Sequence, residues 1–136
     1  MIDDLTTELG DLVAAATGLT TSIDPVAPPQ IPGAYVGPPA IAPDTATGPR
    51  VLMVTWEVGL IATATTGAWQ QVARYGEQVI AALVAHEILG FVSGRSMLHN
   101  TGEAGEAPAY RVDVAVLVHA ATLEANPALT AVGGPP

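Results

Sequence analysis

The side chains best equipped for chemistry are few: His86, His99 and His119 are the only imidazoles, and there is no cysteine. A helical zinc pair needs a second histidine four residues on, and the His86–Glu87 dipeptide is not followed by one. His86 therefore reads as an exposed residue at a helix end, where the dipole favours it, with His99 and His119 on strand edges. Ser93 sits in "GFVSG", which is not the G-x-S-x-G elbow of a serine nucleophile. "TGEAGEAP", residues 101–108, is glycine-rich, but a chain with no lysine cannot build a phosphate loop that depends on one, so it reads as a hairpin tip. Glu57 interrupts a strongly apolar run, and a buried carboxylate there would have a raised pKa suited to acid–base work. Its parity places it opposite Trp56 and Val58, so a solvated or subunit-facing position is expected, paired with Arg50, Arg95 or Arg111. Trp56 and Trp69 have apolar neighbours at strand and helix spacing, and both are expected in the core. No catalytic, cofactor-binding or metal-binding set emerges, and the expectation is a protein that is not an enzyme.

Composition narrows the remaining roles. The 136 residues fit one domain with a sizeable core, and 49% of them are hydrophobic against 12% charged. That balance argues against global disorder and leaves apolar surface for another protein to cover. Thirteen carboxylates face four arginines, for a formal charge of −9, which opposes gripping a phosphate backbone. Such a surface suits DNA that passes without sticking. The start, "MIDDLTTELGDL", is acidic where a secretory signal is basic and then apolar, and charged residues interrupt every run long enough to span a membrane. The expectation is a soluble intracellular chain with no membrane partner.

These residues must be positioned by a small set of elements. Ile2, Leu5, Leu9, Leu12 and Val13 recur at helical spacing, Asp3 and Asp4 stand at the end where the dipole favours them, and Gly18 offers a stop. From Asp24 to Pro49 prolines leave room only for short, edge-like strands, at 34–36 and 40–42. In "RVLMVTWEVGLIATA" Leu52, Val54, Trp56, Val58 and Leu60 form one apolar face, while Val51, Met53, Thr55, Glu57 and Gly59 form a mixed one. "TTG" supplies capping hydroxyls for a second helix, whose stripe is Trp69, Val72, Gly76, Val79, Ile80 and Leu83. "FVSGRSMLHN" and "AYRVDVAVLVHA" make a hairpin. The order predicts an α+β fold: a mixed, largely antiparallel sheet packed by two helices on one face. The mixed face of the long strand, with Val51, Met53 and Ile61, is hard to hide within one domain, and a subunit interface would bury it. The interface residues expected are Val51, Met53, Thr55, Glu57 and Ile61, together with Arg111 and Asp113 of the last strand.

The segments "LTTELGDLVAAATG", "IPGAYVGPPAIAP", "VLMVTWEVGLIAT", "AWQQVARYGEQVIAAL" and "YRVDVAVLVHA", in this order, resemble the tail terminator, or tail-completion, proteins of long-tailed bacteriophages, the minor tail proteins of the lambda U type. The resemblance is one of layout and covers residues 1–121 as a tail-terminator-like domain; residues 122–136 are expected to form a Gly/Pro-rich arm. It implies a homohexameric ring without catalysis or cofactor. The ring caps the tail tube at its head-proximal end, stops polymerisation of tube protein and docks to the head–tail connector, with DNA crossing its channel. The implied location is the neck region of the virion, after assembly in the host cytoplasm. The alternatives are another connector-region protein (head closure, neck or tail tube) or, from a different class, a small ligand-binding α+β dimer.

Overall fold

The computed structural model describes residues 2–23, 30–44, 50–86, 90–100 and 105–119. Helix α1 (Ile2–Thr17) is followed by strands β1 (Thr21–Ser22), β2 (Gly33–Val36), β3 (Ala40–Pro43) and β4 (Val51–Ile61), then helix α2 (Ala68–Ala85), β5 (Gly90–Asn100) and β6 (Glu106–His119). The fold is α+β, with both helices on one face of a mixed, mostly antiparallel six-stranded sheet. Strand order is β1-β2-β4-β6-β5, with β3 beside the other half of the β4 edge that β2 occupies.

The alternation in β4 and β6 decides which face is covered. Antiparallel register pairs Trp56 with Val114, Val58 with Val112 and Leu60 with Tyr110, which gathers the large apolar residues on one side. Val54, Val58, Leu60 and Val112 are wholly buried there, together with Val13 of α1 and Val79 and Leu83 of α2. Trp56 is only 2% exposed. Its indole N–H donates to Thr6 Oγ1 at 2.9 Å, and the Thr6 hydroxyl donates in turn to the Ile2 carbonyl, so the one polar atom of the ring is satisfied inside the core.

Helix α1 stops where expected, Gly18 taking a φ of 75° and donating its N–H to the Ala14 carbonyl. The start of α2 differs. Gly67 caps it in a left-handed conformation with no side-chain hydrogen bond, so the hydroxyls of "TTG" do not serve as the cap. Gly76 lies against the Tyr110 ring, and a Cβ there would overlap it. Trp69 also departs from expectation: it is 46% exposed, because Ala68, Val72, Gly76, Val79 and Leu83 form the buried stripe and Trp69 is turned about 100° from Ala68. The last strand begins earlier than alternation suggests, at Glu106, with buried Pro108 inside it opposite Leu98. The other part of the expected hairpin tip, residues 101–104, lies outside the described residues, as do Glu87 and the arm 122–136.

Candidate functional site on the open face of the sheet

The register that sends Trp56 and Val114 toward the helices sends their neighbours to the other side. Val51, Met53, Thr55, Glu57 and Ile61 of β4 share that face with Arg111 and Asp113 of β6, so all seven expected interface residues lie together. Ile61 is the exception in accessibility. It is wholly buried within the chain, in a second cluster with Ala107 and Ala109, flanked by Tyr35 and Met97. The other six are part-exposed. Ala115 is buried on the same face, and Leu117 is 37% exposed.

Two rows of side chains cross this face at its centre. One runs Arg95, Arg111, Gly59, Tyr35 across β5, β6, β4 and β2; the next runs Ser93, Asp113, Glu57 across β5, β6 and β4. Glu57 and Asp113 are direct cross-strand partners, an arrangement that repels unless a cation intervenes. Arg111, two residues before Asp113, supplies it. Its Nε donates to Asp113 Oδ1 at 2.9 Å and its Nη1 lies 3.7 Å from Glu57 Oε1. Gly59 stands opposite Arg111 and leaves room for the Tyr35 ring, which a Cβ at that position would overlap. The Tyr35 hydroxyl reaches Glu57 and donates to Oε1 at 3.1 Å.

The electrostatics follow from this packing. Burial pushes the Tyr35 phenol up to about 12, with the negative charge of Glu57 and the hydrogen bond to it acting in the same direction and Arg111 opposing them. The bond to Asp113 raises Arg111 above its already high value. Glu57 thus accepts from a phenol and pairs ionically with a guanidinium, with 38% of its side chain exposed, and the buried carboxylate considered from sequence does not form. His99 stacks at a tilt on Tyr35, with ring centroids 6.0 Å apart. The arrangement can fix the register of β2, β4 and β6 and present a small polar centre within an apolar surround; a buried or half-buried ion pair is best attested in that registering role.

Sequence reasoning paired Glu57 with any of three arginines, and the structure selects Arg111. It missed Tyr35; alternation puts Gly59 on this face without a role, and Arg95 enters only as one of three partners for Glu57. The signal was available only in part, since Gly59 in a strand marks a close approach without naming what approaches.

Other features are less organised. Between the helices lies an open groove of about 420 Å³ lined by Glu8, Asp11, Leu12, Ala15, Ala82 and His86. His86 is the exposed C-cap of α2, its N–H bonded to the Ala82 carbonyl. Among the described residues no three His, Asp or Glu side chains gather in a metal-binding arrangement, and no helix is long and apolar enough to cross a membrane. No protein-family model matches the chain, and no curated protein resembles it significantly.

Proposed function

We propose that the chain is a structural virion protein that assembles with copies of itself into a ring at the head-proximal end of a phage tail tube. There it ends tube polymerisation and docks the tail to the head–tail connector, while DNA passes through the channel without specific binding. The observation that carries this reading is the open face: a sheet packed by both helices on one side and, on the other, Val51, Met53 and Leu117 left part-exposed around the Glu57–Arg111–Asp113 centre. An apolar surround with a paired polar centre has the make-up of a protein–protein contact. The order of elements and the segments that resemble tail terminators supply the phage context, and the formal charge of −9 suits a channel that must not retain a polyanion.

Tube capping tests the function. Added to polymerising tube protein from the same virion, the chain should bind one end and stop growth at substoichiometric amounts. Tubes that lengthen at an unchanged rate would contradict the terminator role, and incorporation along the tube would identify a tube subunit instead.

A further inference from the structure

The two ends of the sheet are finished differently. At one end β1 has two residues and β3 four, and Pro38, Pro39 and Pro43 break the row of N–H donors around β3. At the other end β5 runs eleven residues in unbroken register with β6, from Gly90 opposite Val116 to Asn100 opposite Glu106, with no proline, bulge or lysine. Among the described residues nothing pairs with its outer edge. An edge this long and unprotected is a template for another strand.

Arg95 is the central residue of that edge. It is exposed, stands directly opposite Arg111, and its side chain makes no ion pair or hydrogen bond among the described residues. Like charges placed opposite one another are unfavourable, so a strand that adds here should bring no further cation. The β3 segment Ala40–Pro43 carries none, and Asp44 follows it directly.

We propose that the outer edge of β5 is the docking site for a second copy of this chain, which enters head to tail with the outer edge of its β3. Strand direction supports this partner. The pairs β3–β4, β4–β6 and β6–β5 are all antiparallel, so β3 and β5 run in opposite directions. A copy repeated in the same orientation therefore brings its β3 antiparallel to β5 and keeps the helices of both copies on one side of a continued sheet. All four β3 residues are exposed, Ile41 by 52%, and the flanking prolines confine the joint to a short stretch of defined register. The two-fold alternative, β5 against β5 about its centre, sets Arg95 against Arg95 with Arg111 behind each. A head-to-tail contact also repeats, which is what a ring requires. The inference rests on the self-assembly in the proposed function, not on the tail assignment.

The test uses the full chain and two exposed substitutions, Arg95→Glu on β5 and Ile41→Asp on β3. Each should leave thermal unfolding unchanged and move the concentration at which assembly begins, read by light scattering, upward about tenfold or more. Mixed together, the two variants retain one intact edge each, so they should form a 1:1 pair that grows no further. Either variant assembling as the wild type does, or a mixture that stays monomeric while the wild type assembles, overturns the inference; a ring that persists in both variants does so while leaving the proposed function standing. A wild-type chain that is monomeric at every concentration also overturns it, and tube capping then tests the function separately.

Discussion

Both faces of the sheet use a tyrosine laid over glycine, with opposite results. On the helix side Tyr110 fills the space left by Gly76 of α2 and Gly94 of β5, joining helix to sheet. On the open side Tyr35 covers Gly59 and turns its hydroxyl to Glu57. The first contact is apolar and fixes how closely α2 approaches; the second ends in a polar group and holds a carboxylate. What differs is the next layer. Among the described residues helices lie over one face and only side chains over the other, so one face carries the packed core and the other a charged pattern at its surface.

That division can be broken most severely on the helix side. Trp56→Ala removes the largest wholly packed side chain and its hydrogen bond to Thr6, and unfolding in urea should show a loss of about 3–5 kcal/mol. A loss below about 1 kcal/mol would mean that α1 is not anchored through this ring. Gly76→Ala should cost less, about 1–3 kcal/mol, because the new methyl must push α2 away from Tyr110. Equal stability for the variant and the parent would show that the helix–sheet spacing is slack.

Changes on the open side should be smaller in stability and larger in assembly. Glu57→Ala removes the acceptor of the Tyr35 hydroxyl and an ion-pair partner of Arg111, but leaves Arg111 bonded to Asp113 at a site about one-third exposed. Its effect on unfolding should stay within about 1 kcal/mol, while the assembled mass changes. An unchanged mass would count against an interface role for this residue. Tyr35→Phe has the mildest expected effect, about 0.5–1.5 kcal/mol for the lost hydrogen bond. It also carries a pH signature. The folded state holds the phenolic proton to about pH 12, whereas the unfolded chain releases it near 10. Between these values the folded state binds more protons, so this group's contribution is intact below pH 10 and is lost as pH rises toward 12. The parent should therefore lose more stability across that window than Tyr35→Phe, and identical alkaline profiles would contradict the assignment.

The elements with a strong period were legible in the sequence. Alternation in β4 and β6 identified both faces, and helical spacing identified α1 and most of the α2 stripe. β1 was missed because two residues carry no period, and β6 was begun late because Pro108 in a strand reads as a turn. Helical spacing of its apolar neighbours places Trp69 in the core, yet the small Ala68 occupies the buried first position. The seven residues sharing the open face followed from parity alone. Their pairing did not, since Arg111 between Glu57 and Asp113, and Arg95 beside Arg111, depend on cross-strand register, which no local pattern in one strand encodes. The burial of Ile61 likewise depends on Tyr35 and Met97 arriving from other strands.

Self-assembly through surfaces that the helices leave open is the property on which both proposals depend. The most direct measurement is the solution mass of the purified chain by light scattering across concentration, with electron microscopy of the largest species. A concentration-dependent rise to a closed, hexameric ring is expected; a dimer that a small ligand stabilises, with no larger species at any concentration, would contradict the proposed function.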